Sequence, residues 1–113
     1  MKEPHKPARF CATSLDDLRS FPATVQNEAG WQLHKVQCGL NQDDWKPMPS
    51  IGAGVFELRV GDTSGTFLVI YVTKLVNAIY VLHCFQKKTE KTSLKDIRLA
   101  SARYKALLQE LQS

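Results

Sequence analysis

The most constraining feature of the chain is the stretch from Val55 to Phe85, where three apolar runs follow one another with only short turns between them. In the first, Val55 to Val60, the residues Phe56, Leu58 and Val60 alternate with Val55, Glu57 and Arg59. A period of two predicts a strand with one apolar and one mixed face, as on a half-exposed antiparallel sheet. Gly61-Asp62-Thr63-Ser64-Gly65 supplies a hairpin turn. Phe67 to Thr73 is apolar on both faces and predicts a central strand. Lys74 to Asn77 turns the chain, and Ala78 to Phe85 is the third strand.

Helical patterns flank this sheet. Arg9 to Thr13 suits a short edge strand, and Ser14-Leu15-Asp16-Asp17 reads as a helix start with Ser14 as N-cap and Asp17 returning the bond. That helix runs to about Phe21, and Pro22 suits the first position of a second one. Val25, Ala29, Leu33, Val36 and Leu40 recur at helical spacing, and Gly39 is a stop signal. Gln42 to Gly54 carries the breakers Pro47, Pro49, Gly52 and Gly54 and reads as a loop. Ser93 with Asp96 repeats the capping signature before a last helix with Ile97, Ala100, Tyr104, Leu107, Leu108 and Leu111 on its apolar face. The order predicts one α+β domain over residues 1–113, with residues 1–7 as a mobile arm. Its twisted antiparallel sheet should have two N-terminal helices and one C-terminal helix packed mainly on one face.

Charge separates the chain into two parts. Residues 1–85 hold eight basic and eight acidic side chains. Residues 86–113 hold Lys87, Lys88, Lys91, Lys95, Arg98, Arg103 and Lys105 against Glu90, Asp96 and Glu110, so the whole net charge of +4 lies in the last quarter. Such a concentration raises the local density of a polyanion such as RNA, although a solvated helix face has the same look. Cys11, Cys38 and Cys84 are odd in number, widely spaced and without a CxxC, which argues against a disulfide framework or a zinc ribbon. His34 and Cys38, four apart, amount to two ligands at most, too few for a metal centre. The longest apolar run, Phe67 to Val72, is too short to span a bilayer, and no signal-peptide core follows the polar N-terminus. The expected location is the cytoplasm.

Several blocks resemble the phage-derived HigB-like toxins of the RelE/ParE superfamily. They are the opening Ser14-Leu15-Asp16-Asp17-Leu18-Arg19-Ser20-Phe21-Pro22, the strand Gly54-Val55-Phe56-Glu57-Leu58-Arg59, and the run from Tyr80 through Phe85-Gln86-Lys87-Lys88 to Thr92. Asp96 through Tyr104 is similar to the closing helix of that family. The resemblance covers roughly residues 10–110, and its most specific part is Phe85-Gln86-Lys87-Lys88 between a strand and a helix. It implies a RelE-like fold and the toxin of a type II toxin–antitoxin pair. The implied activity is a ribosome-dependent messenger-RNA endonuclease without a cofactor, bound in a hetero-oligomer by a helix-turn-helix antitoxin.

Cutting RNA without a metal requires a proton to leave the ribose 2′-OH, charge to be stabilised on the phosphorane, and a proton to reach the 5′-oxygen. The resemblance assigns phosphate contacts to Arg59, Lys87 and Lys88 as the catalytic set. Lys91 and Lys95 would track the RNA backbone or ribosomal RNA, and Lys46 would add a weaker contact from its loop. His83 is either a general acid–base or a hydrogen-bonded core histidine, since strict alternation puts it with Val81 and Phe85. Trp31 and Trp45 suit base stacking or core anchoring, and Tyr104 suits packing. One departure stands out: in Phe67-Leu68-Val69-Ile70-Tyr71, Leu68 occupies the position where the family usually has arginine. It leaves open a RelE-fold binding module with weak or no catalysis. The resemblance also extends to ParE toxins, which share the fold and act on gyrase, but the basic Lys87–Lys95 segment favours RNA.

Overall fold

The computed structural model describes residues 6–40 and 44–112. Its elements are β1 (Ala8–Phe10), α1 (Ser14–Arg19), α2 (Ala23–Gln37), β2 (Trp45–Pro47), β3 (Val55–Asp62), β4 (Gly65–Val72), β5 (Ile79–Gln86) and α3 (Leu94–Gln112). The strands form one sheet in the order β1-β5-β4-β3-β2. All pairs are antiparallel except β1 with β5, which run parallel. The fold is α+β, with the helices and the three long strands in the expected order.

The expectation that the helices pack mainly on one face is corrected, because α3 lies opposite the other two. Leu18 and Phe21 from the first helical segment, with Val25, Ala29 and Leu33 of α2, pack against Leu58, Val60, Phe67, Val69, Tyr71, Ile79 and Val81. On the opposite face Ala100, Tyr104 and Leu107 of α3 pack against Val55, Ile70, Val72, Tyr80 and Leu82. The reason lies in the sheet. β4 and β5 are apolar on both sides, so each face needs a cover. The same division corrects the reading of β3 as half-exposed, because Glu57 on its mixed face is fully buried.

Local chemistry accounts for the smaller differences. Ser14 does not cap α1. It is buried and donates to the Val81 carbonyl at 3.2 Å, while Thr13 stands at the N-cap with its hydroxyl on Asp17 at 2.9 Å. The loop expected at 42–54 contains β2, which pairs Trp45 with Leu58 and Pro47 with Phe56 on the sheet edge. Residues 42 and 43 of that loop, and residues 1–5 of the expected arm, lie outside the described residues. Lys6 is held in place: its amine donates to the carbonyls of Thr73 and Leu75 at 2.8 and 2.7 Å. The β3–β4 hairpin closes through Asp62, whose carboxyl is held below its usual range by the Ser64 hydroxyl and N–H. Gly65 ends the turn at φ 136°, a backbone angle that side chains rarely allow.

Candidate functional site

The α3-side face of the sheet carries two cross-strand rows that each begin with a charged residue on β3. One runs Glu57–Ile70–His83 and the next Arg59–Leu68–Phe85. After β5 the chain stays on the sheet for one residue, with the Lys87 N–H bonded to the Thr66 carbonyl at 2.8 Å. It then passes over towards β3, where the Thr92 hydroxyl donates to Glu57 Oε1 at 2.8 Å. The first turn of α3 returns to β5: Asp96 Oδ1 lies 2.7 Å from His83 Nε2, and Ser93 donates to Asp96 Oδ2 at 2.6 Å. The segment from Lys87 to Thr92 is thus tied down at both ends. This holds its lysines beside Arg59.

The result is a hollow of ≈ 410 Å³ lined by Arg59, Thr66, Lys87, Lys88 and Glu90 among others. It brings together the three residues expected to be catalytic, Arg59 from strand β3 and Lys87 and Lys88 from the segment that follows β5. Arg59 is half-buried, and its Nε is buried without a hydrogen bond. Lys88 is exposed and its amine donates to Gln86 Oε1 at 3.2 Å. Two lysines and an arginine converging on a shallow hollow can bind and polarise a phosphate.

The remaining expected residues divide. Lys95 faces an adjoining hollow of ≈ 290 Å³ that it shares with Lys87 and Lys88. Lys91 is exposed, and its carbonyl accepts from the Thr89 hydroxyl. Lys46 does not line either hollow. It stands on β2 with its amine 3.7 Å from Glu57 Oε2, the ion pair of an otherwise buried carboxylate.

His83 keeps to the face of Phe85, as alternation assigns, but parts from Val81. Ile70 pairs with His83 but Tyr71 pairs with Val81, so Leu82 is an extra residue in the ladder. This β-bulge turns both Leu82 and His83 towards α3 and away from Val81. His83 is buried, stacked on Phe85 at 4.5 Å between ring centroids, with Nδ1 buried and unbonded. Three groups that matter here escaped sequence reasoning as site residues: Glu57, Thr92 and Asp96. Only Asp96 left a signal, through its capping pattern with Ser93.

Leu68 is fully buried between Arg59 and Phe85. Burial pushes the Cys84 thiol up to about 12, and it raises Cys11, with Glu110 adding to the effect and Arg103 opposing it. His34 Nε2 and Cys38 Sγ are 3.7 Å apart on α2. Among the described residues, no group of three or more His, Cys, Asp or Glu side chains is arranged to hold a metal. Among the same residues, no helix is long and apolar enough to cross a membrane.

A mostly antiparallel sheet between two N-terminal helices and one C-terminal helix, with basic residues gathered where β5 leaves it, has the architecture of the RelE-like toxins. The model of the phage-derived Gp49-like protein family matches residues 16–105, most of the chain. The chain belongs to that family, a HigB-like family of RelE/ParE toxins. A comparison with curated proteins found no match.

Proposed function

We propose that this protein is a ribosome-dependent messenger-RNA endonuclease, the toxin of a type II pair that works in the cytoplasm and is neutralised by a helix-turn-helix antitoxin. The observation that carries the reading is the convergence of Arg59, Lys87 and Lys88 on one open hollow. In this reading the scissile phosphate sits against Arg59 and Lys88. Their charges stabilise the phosphorane formed when the adjacent 2′-oxygen attacks and the 5′-oxygen leaves. The 2′-OH proton passes to solvent water, and the exposed ammonium of Lys88 is the group in the hollow that can donate a proton to the leaving 5′-oxygen. His83 is enclosed behind Asp96, which supports a role in holding α3 more than direct proton transfer. Lys91 and Lys95 extend the cationic surface along the RNA backbone. Lys46 instead compensates Glu57.

Purified protein added to a translating extract should cut messenger RNA, and naked RNA should be spared or cut far more slowly. A specific observation favours a second reading, that of a RelE-fold module without catalysis: the buried Leu68 presents no cation at a position where the family usually has one. Unchanged messenger RNA in the extract, with soluble folded protein confirmed, selects that second reading. DNA gyrase inhibition with intact messenger RNA would select the ParE-like one.

A further inference from the structure

The hollow that adjoins the Arg59 site differs from it in chemistry. Its walls include Phe85, Lys87, Lys88, Ser93, Lys95 and Asp96, and its volume is ≈ 290 Å³. The two hollows share Lys87, Lys88 and Thr89, so a strand with one phosphate against Arg59 would pass directly over the second. This one adds an aromatic ring and a carboxylate to the lysine rim. Phe85 is half-buried and braced by the near-parallel His83 ring, with 19° between the planes. The Asp96 side chain is 25% exposed and its carboxylate is fixed in orientation, because His83 holds Oδ1 at 2.7 Å and Ser93 holds Oδ2 at 2.6 Å. A carboxylate offers about four lone-pair sites, so each oxygen can still accept one more bond.

A fixed carboxylate beside an aromatic ring, inside a rim of cations, suits an unstacked nucleobase on a phosphate chain. The base is selected by its Watson–Crick edge. Guanine presents two neighbouring donors, N1–H and N2–H, that match the two oxygens of a carboxylate. Adenine and cytosine set one donor beside a ring-nitrogen acceptor, which a carboxylate repels. Uracil sets its single N3–H between two carbonyl oxygens. We propose that this hollow is a guanine pocket for the RNA strand, with Asp96 reading N1–H and N2–H and the lysines holding the attached phosphate. The proposal rests on the endonuclease reading for its place beside the cut, and it makes Asp96 a specificity-determining residue.

The test is a titration of isotope-labelled protein with guanosine, adenosine, cytidine and uridine 5′-monophosphates, followed through amide shifts. Guanosine monophosphate should shift the amides of residues 85–96 with an affinity at least ~10-fold above the other three. Asp96→Asn should bring the four affinities together while phosphate binding through the lysines persists. Equal affinity for the four nucleotides, or shifts confined to the surroundings of Arg59, overturns the proposal with the unaltered protein alone, whatever the variant does to folding. Guanine selectivity without cleavage in a translating extract supports the pocket and removes the endonuclease reading. Cleavage without guanine selectivity does the reverse.

Discussion

Leu68 decides between two physical pictures at a single position. It is fully buried and flanked on neighbouring strands by Arg59 and Phe85. A guanidinium there would be unpaired and next to an existing one, so Leu68→Arg should destabilise by about 3 kcal/mol or more. Thermal melting should fall by roughly 10 °C or lead to aggregation. A variant that melts like the parent and cuts faster would show that this position opens to the phosphate after all. Lys88 is the opposite case, exposed and unneeded for packing. Lys88→Ala should lower cleavage in a translating extract by ~10²-fold, the scale of one preorganised charge, with an unchanged melting temperature. Full activity in that variant would move the active centre away from the Arg59 hollow. Cys84, whose thiol burial pushes up to about 12, should resist iodoacetamide at pH 8 until the protein is unfolded. Rapid native labelling at Cys84 would contradict its packing.

At the scale of elements, the segment between β5 and α3 depends on one hydroxyl at its far end. Thr92→Val removes the 2.8 Å bond to Glu57 and leaves a buried carboxylate whose remaining polar side-chain partner among the described residues is Lys46. The expected cost is about 1–3 kcal/mol, with faster tryptic cleavage after Lys87, Lys88 and Lys91 in the native state. Protection equal to the parent's would mean that the His83–Asp96 contact alone holds the segment. These ties also show which elements can be read from residues. The alternation of Phe56, Leu58 and Val60 and the apolar run of β4 announce their strands directly, since local period and burial agree there. The capping pattern of Ser93 and Asp96 likewise announces α3. The basic run at Lys87 and Lys88 marks one wall of the site for the same reason of locality, and Arg59 enters only through the resemblance. What was not legible depends on partners distant in sequence. The bulge at Leu82 arises from β4–β5 register, and it alone puts His83 with Asp96. The burial of Glu57 follows from a segment 35 residues further on. The short β2 strand carries two residues, Lys46 and Pro47, that rarely sit in strands, and it forms because the β3 edge is there to pair with. The division of the helices between two faces was implicit in the two-sided hydrophobicity of β4, which demands a second cover.

For the whole molecule, the sheet separates two surfaces of different character. α1 and α2 cover one face, and the other carries α3 with the lysine-rich segment. Arg59, Lys87, Lys88, Lys91, Lys95 and Arg98 all belong to elements of that second side, with Lys88, Lys91, Lys95 and Arg98 exposed. A polyanion docked there should therefore meet several cations at once, while the molecule's net charge of only +4 gives little long-range pull from elsewhere. Binding to a single-stranded RNA should then weaken steeply with salt. With about five phosphates neutralised, the logarithm of the binding constant should fall against the logarithm of salt concentration with a slope of roughly −3.5. Replacing Lys88, Lys91 and Lys95 together by Gln should reduce the magnitude of that slope by about 2, since each lost contact removes ~0.7. A control replacement of Lys35 on α2 and Lys74 in the β4–β5 connection by Gln, two charges in place of three, should leave it nearly unchanged, because neither lies beside the Arg59 hollow. Fluorescence anisotropy across a series of salt concentrations measures all three slopes. Equal slopes for the two sets of replacements would mean that RNA contacts are spread over the whole surface, and the assignment of the α3 side as the nucleic-acid face would fall.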